Sequence, residues 1–410
     1  MRKSIYIYVT PFFPEPSRHY GSYGYDFVQA LKRNSDYDVR VFVAGSGEDY
    51  DFEGCHVYRF QTICLPSSLF PFLFARYNAK SFFDAVKRAG IDIDDVSVCH
   101  GNTSTYSIYP LAIKKQNPRC LTILHHHDLD GYGLRLGRFR HVWFHKLINF
   151  FIVRRLFELI DLHVFISEAS KKSTLRFPDT SWSCYDDYKR LGCGLSWLRP
   201  ANLKRTLVLW NGVDIHKFNN NGRPSKNEGA TFTVGCIGNF IEVKNQLGLV
   251  KAVEILRNRI PNLKLEFCGD NGYSHVLNPI KKYIKDRRLE DIVSMLPCVP
   301  HNQLPKVYRH WDLFVLPSYF EGLGCVYLES WACGTPFIAC KGQGIADVLP
   351  ESEKDKWLCN PHDEQDISNK ILRYYEKKDS QELINDIAID VLVADFVKKI
   401  DAMRKEALHC

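Results

Sequence analysis

Two carboxylates in the stretch FEGLGCVYLESWACG (320–334), Glu321 and Glu329, stand eight positions apart with a glycine-rich turn just after the first. The apolar run LFVLPS ends at Ser318, and Glu321-Gly322-Leu323-Gly324 turns the chain into an expected helix. That helix stops at Gly334, a helix-ending glycine followed by Pro336. A helix start offers backbone N–H groups to an anion, and glycine lets a phosphate or hydroxyl approach the main chain. Eight helical residues rise about 12 Å, on the scale of the diphosphate bridge of a nucleotide-sugar. One acid can then hold hydroxyls of a sugar and the other those of a ribose, with phosphates between. The competing reading is a capping acid followed by an ordinary helical glutamate.

A cation stands upstream. VGCIGNFIEVKNQ (234–246) reads as a strand, a glycine turn and then Lys244 near a helix start, where an ammonium can meet phosphate oxygens as a point charge. A surface lysine is the alternative. The run LTILHHHDLD carries His125, His126 and His127. On a strand His125 and His127 share a face while His126 points away, and no carboxylate–histidine spacing nearby repeats a metal-ligand pattern. No metal is expected.

These residues need a frame. A chain of 410 residues exceeds one ordinary core, so two domains are the prior. Apolar runs at 4–10, 39–44, 96–100, 121–127, 162–167 and 206–211 read as strands, with helices expected at 23–33, 79–88, 104–116 and 141–159. The polar stretch NNNGRPSKNEG (219–229) reads as a linker. A second strand series follows at 231–238, 264–269, 293–299, 313–318 and 336–340. This α/β grammar implies two Rossmann-like, doubly wound domains facing across a cleft, with ligands at the strands' carboxyl ends. The domains are expected at 1–218 and 230–388, with a last helix in 389–410 packing back on the first.

Composition narrows the partners. A net charge of +7 favours anionic ligands or surfaces and falls short of a nucleic-acid binder's excess. Fourteen cysteines without a CxxC pair, several inside apolar runs, read as small hydrophobes in a reducing cytoplasm. The first apolar run is a strand, too short for a signal peptide or membrane span. RLGRFRHVWFHKLINFFIVRRLFELI (135–160), with six Lys/Arg and one Glu, can lie on an anionic membrane or be a core helix with snorkelling arginines.

Taken together, EGLGCVYLE resembles the E-x7-E signature of the retaining glycosyltransferases of family 4, which have the GT-B fold. NGVDIHKF (211–218), LEFCGDNGY (265–273), WDLFVLPSYFEGLG (311–324) and GTPFIACKGQGIADVL (334–349) are similar to further blocks of that family, in the same order. The resemblance covers nearly all of the second half. In the first it rests on strand order, LHHHD and HVFISEAS.

The resemblance implies a donor site in which Glu321 contacts the transferred sugar, Glu329 the ribose and Lys244 the diphosphate. Gly322, Leu323 and Gly324 would offer backbone N–H groups. His127 would donate or relay hydrogen bonds beside the reacting carbon. Gly21 and Gly24, in the loop after the first strand, would stand where acceptor and phosphate meet. Asn239 occupies a position where the family usually has arginine, so one of two phosphate cations is replaced by an amide. The segment 178–204 is longer than the family's spacing and reads as an acceptor loop or a surface insertion.

The activity so implied is retaining, metal-independent transfer of a hexose-type sugar from a UDP- or GDP-linked donor. The acceptor would be a hydroxyl of a glycan or lipid-linked molecule in cell-surface polysaccharide synthesis. The enzyme would be cytoplasmic or peripheral to the inner membrane face, with the nucleotide-sugar as co-substrate and no cofactor. A non-catalytic subunit binding a nucleotide-sugar or a partner enzyme is the alternative.

Overall fold

The computed structural model describes residues 4–15, 21–63, 74–127, 154–175, 184, 186–187, 202–225, 230–269, 274–384 and 386–409. The chain divides into two compact units, one of 1–181, 192–211 and 388–410, the other of 182–191 and 212–387.

The first unit holds strands β1 (Ile5–Thr10), β2 (Asp38–Ala44), β3 (Tyr50–Phe52), β4 (Cys55–Phe60), β5 (Val96–Asn102), β6 (Leu121–His126), β7 (Leu162–Phe165) and β8 (Thr206–Val208), ordered β3-β4-β2-β1-β5-β6-β7-β8. All pairs are parallel except the hairpin β3–β4. Its turn puts Glu53 and Gly54 at φ 42° and 80°, the geometry of a two-residue hairpin turn whose twist matches the strands. Sequence patterning did not predict this hairpin, because the edge strand β3 is only three residues long and β4 leaves His56 exposed. β1, by contrast, is buried at every position. β8 stops at Val208, short of the expected 211. Helices α1 (Ser22–Asn34), α2 (Ala75–Arg88), α3 (Ile108–Gln116), α4 (Arg154–Leu159) and α5 (Glu168–Leu175) complete this part.

The second unit carries β9 (Phe232–Ile237), β10 (Leu263–Cys268), β11 (Val293–Leu296), β12 (Leu313–Val315), β13 (Phe337–Cys340) and β14 (Leu358–Cys359) in the order β11-β10-β9-β12-β13-β14, all parallel. Its helices are α6 (Gln246–Leu256), α7 (Ser274–Asp286), α8 (Leu304–His310), α9 (Cys325–Ala332), α10 (Glu351–Trp357) and α11 (Glu364–Lys377). Gly235 interrupts the apolar run of β9 because the buried Trp311 ring lies against it, where a Cβ would sit 1.8 Å away. The two-residue β14 is too short to leave a periodic signal.

Residues 212–218, expected at the end of the first domain, belong with the expected linker to the second unit. Val213 N–H bonds Ile387 O at 2.8 Å, and the buried Phe218 ring packs on His301. The change of unit therefore falls at Asn211–Gly212, ahead of 219–229, where 226–229 lie outside the described residues. The last helix, α12 (Ile389–His409), lies on α1 of the first unit. Phe396 meets Phe27, Asp390 pairs with Arg33, and Tyr37 donates to Asp401 at 2.5 Å.

Buried histidines line both faces of the first sheet. His100 and His125 lie beneath Tyr6, Tyr8 and Phe27 on one face, and His126 bonds His163 at 3.0 Å on the other. His163 Nε2–H must donate to Phe157 O at 2.9 Å, so its Nδ1 accepts from His126. Burial pushes His100, His125 and His126 well below the ordinary imidazole value, and His127 and His163 down to about 4. Neutral in the fold, these rings gain protons on unfolding below about pH 6.5. Their stabilisation is complete above that pH and is lost as pH falls toward 4. Thermal melts should show a level Tm from pH 8 to 7 and a progressive fall below 6.5. A Tm unchanged down to pH 5 would contradict this neutral burial.

Candidate active site

The second sheet closes tightly where the site begins. β9 ends at Ile237, and Gly238 adopts φ 156°. A Cβ on Gly269, just past β10, would lie 2.2 Å from Gly238 O, so both glycines are needed for the two strand ends to meet. The chain then makes a 3-10 turn at Glu242–Lys244 and enters α6 through Asn245, whose side chain donates to Pro361 O at 2.8 Å. The stem of Lys244 lies beside Gly238, and its Nζ donates to Glu321 Oε1 at 2.5 Å. Ser318 Oγ donates to the same oxygen at 2.8 Å. Tyr319 N–H bonds Val243 O at 2.8 Å, which locks the two loops together. The side chains of Lys244 and Glu321 keep 21% and 13% of their exposure, enough for both to reach a ligand.

The turn after Glu321 is built for close approach. Gly324 sits at φ 80°, and a Cβ there would come within 2.7 Å of the Tyr327 ring. Leu323 is fully buried, so only its backbone can serve a ligand. α9 starts at Cys325 and ends through Gly334, also at φ 80°, whose N–H bonds Trp331 O. Glu321 therefore precedes the helix by four residues. The expected helical rise over all eight positions is corrected to a half-turn, half-helix path, because the left-handed Gly324 cannot continue a helix backward. Glu329, on α9, is buried, with His301 Nε2 at 2.9 Å from Oε1 and Tyr308 OH donating to Oε2 at 2.8 Å. Asn239 is exposed, and its carbonyl accepts from Gln246 at 2.9 Å.

In the first unit His127 follows the carboxyl end of β6. Asn102 Nδ2 donates to Val9 O at 3.0 Å, which makes Oδ1 the acceptor of the 2.7 Å bond from His127 Nε2–H. The neutral ring then presents Nδ1 as an acceptor, its hydrogen being taken up by Asn102. Gly21 caps α1 at φ 85°, where a Cβ would stand 2.7 Å from the backbone of Phe12. Gly24 lies over Tyr8 OH. Both glycines allow α1 to start against the loop after β1, of which 16–20 lie outside the described residues.

Lys244, Glu321 and the 322–324 turn are thus brought together, and Glu329 is held by separate partners. Ser318, His301, Tyr308 and Asn102 were not anticipated. Ser318, three residues before Glu321 and ending the apolar run LFVLPS, carried a usable signal, whereas the others are distant in sequence. Most of 135–160 and 178–204 lies outside the described residues. Cys184 and Asp187 of the latter are buried in the second unit, with Asp187 2.6 Å from His362. Among the described residues no group of three His, Cys, Asp or Glu is arranged to hold a metal ion, and no helix is long and apolar enough to cross a membrane.

Residues 218–390 match the family described as Glycosyl transferases group 1. The chain is 30% identical over 208 residues to the sulfoquinovosyl transferase SQD2 of Arabidopsis thaliana, a match covering 46% of this chain and 37% of that protein. It is 34% identical over 121 residues to a D-inositol 3-phosphate glycosyltransferase of Pseudarthrobacter chlorophenolicus, covering 29% of each. These matches span less than half the length of the curated relatives. Among solved structures, Anabaena HepE in complex with UDP and glucose superposes with a TM-score of 0.60 at 16% identity, covering 98% of both chains. The fold is GT-B, two Rossmann-like α/β units, and residues 218–390 are similar to group 1 glycosyltransferases.

The ion pair generates a stability prediction. Lys244→Met strands a half-buried carboxylate and should cost about 1–3 kcal/mol. Adding Glu321→Gln removes the stranded charge, so the double variant should cost less than the sum of the singles in urea unfolding. Additivity within about 0.5 kcal/mol would mean that the two groups are not coupled.

Proposed function

We propose that the protein is a retaining, metal-independent glycosyltransferase that moves a hexose-type sugar from a UDP- or GDP-linked donor to a hydroxyl. The observation that carries this reading is the convergence of Lys244 and Glu321 beside the turn into α9, at the carboxyl edge of the second sheet. The match to group 1 glycosyltransferases over that unit supports it. A HepE structure containing UDP and glucose supports a nucleotide-sugar donor, and a relative named for inositol 3-phosphate supports a polyol-type hydroxyl acceptor. A glycan or lipid-linked acceptor of cell-surface polysaccharide synthesis, met at the cytoplasmic membrane face, belongs to the same proposal.

In this mechanism the donor's phosphate oxygens exchange for Glu321 on Lys244, and Glu321 turns to the hydroxyls of the sugar. Gly322–Gly324 and the start of α9 lie against the diphosphate, while Glu329 takes the ribose. The bond from the anomeric carbon to the phosphate oxygen breaks, and the diphosphate leaves with the electron pair. The acceptor oxygen attacks from the same face, and its proton passes to the leaving phosphate oxygen. Anomeric configuration is retained. Lys244 stabilises the leaving charge, and His127 Nδ1 can accept a hydrogen bond from a hydroxyl of either substrate.

One observation favours a second reading. The exposed amide of Asn239 stands where the family has a phosphate cation, which fits a subunit that binds the donor without turning it over.

Purified protein incubated with UDP- and GDP-sugars, with and without membrane lipid extract, should release nucleotide in the presence of excess chelator. Glu321→Ala should lower kcat about 100-fold or more, and the product's anomeric coupling should match the donor's. Release that survives this substitution would refute the assigned site. Donor binding without release in any mixture would favour the non-catalytic reading, and Asn239→Arg should then raise donor affinity.

A further inference from the structure

The partners of Glu329 form a chain that the transfer mechanism leaves unused. Lys217 Nζ lies 2.7 Å from His301 Nδ1, and His301 Nε2 lies 2.9 Å from Glu329 Oε1. An ammonium has hydrogens to give and no lone pair to offer, so His301 Nδ1 must be the acceptor. The imidazole hydrogen then resides on Nε2 and points at Glu329. On the other oxygen Tyr308 donates at 2.8 Å. Burial, reinforced by the neighbouring Glu329, raises the Tyr308 phenol well above its ordinary value and keeps it a donor. Phe218 packs on both His301 and Tyr308, with ring centroids at 5.1 and 6.2 Å, and fixes the imidazole plane.

A carboxylate has about four lone-pair directions, and these two donors occupy one on each oxygen. One direction per oxygen is left, the number needed to accept from two adjacent hydroxyls. Because both donors come from the protein, the carboxylate cannot rotate to follow a ligand.

We infer that His301, oriented by Lys217, is a positioning residue that turns Glu329 into a rigid two-hydroxyl acceptor and so makes the site selective for ribonucleotides over 2′-deoxyribonucleotides. This rests on the proposed placement of the donor's ribose at Glu329. Lys217 belongs to NGVDIHKF and Glu329 to the E-x7-E stretch, so the pair joins two motifs that sequence alone leaves unconnected. His301→Ala removes the donor to Oε1. His301→Gln keeps a donor amide, and Lys217→Met frees the imidazole to choose either tautomer.

The test is calorimetric titration of the full chain with UDP, 2′-deoxy-UDP, GDP and 2′-deoxy-GDP. The wild-type protein should prefer one ribonucleotide over its 2′-deoxy form by about tenfold or more. His301→Ala should abolish that preference, His301→Gln should restore most of it, and Lys217→Met should fall between. A merely structural role would weaken both nucleotides equally and leave their ratio intact, which would overturn the proposal. Glu329→Gln separates the two possible failures. If it erases the preference while His301→Ala keeps it, the positioning role alone is wrong. If neither substitution changes the preference, or wild type binds neither ribonucleotide, the ribose placement is wrong and the inference falls with it.

Discussion

A charge taken out of water must find a partner or cease to be a charge, and this rule organises the described structure. Removing a carboxylate from solvent costs several kcal/mol unless donors replace the lost water. Glu321 has Lys244 and Ser318, Glu329 has His301 and Tyr308, and Asp161 in the first unit has Lys114, Lys204 and Thr122. The histidines of the first sheet follow the other branch of the rule and are held neutral. Each acid is therefore pre-oriented, since the donors that stabilise it also fix its rotamer. Glu329 is held in place by His301 and Tyr308, whereas Glu321 is held by Lys244 and Ser318 in the absence of a ligand.

How much of this the sequence revealed depended on distance along the chain. Strands β1, β6 and β9 are buried at every position because both faces of a parallel sheet are covered, and β2, β5 and β10, though broken by polar residues, keep enough apolar positions to be read one by one. The β3–β4 hairpin and β14 were not read, the first because β3 is only three residues long, the second because two residues carry no period. Glu321, Gly324 and Glu329 lie within one short stretch, so their association could be read directly. Lys244 and Glu321 are 77 positions apart and meet only through the register of β9 and β12. Nothing local in Lys217 or His301 points to Glu329. The tautomer of His127 likewise depends on Asn102 and Val9, which belong to two other strands.

The chain passes between its two units more often than a linear reading allows. Residues 182–191 leave the first unit to join the second, and the chain returns to the first at Ala388. Ile389, Val393, Phe396, Val397 and Ile400 of α12 then enter the core that holds Tyr6, Tyr8 and Phe27.

That closing helix sets a timetable for synthesis. The core around α1 lacks five apolar side chains until residues 389–400 have left the ribosome. Making 212–387 takes roughly 10–35 s at about 5–20 residues per second. The unit encoded later has its early segment, 182–191, already in hand and can finish first. Order of translation and order of completion are thus reversed, and the nascent first sheet, one face covered only by α1, must wait for a chaperone or for α12.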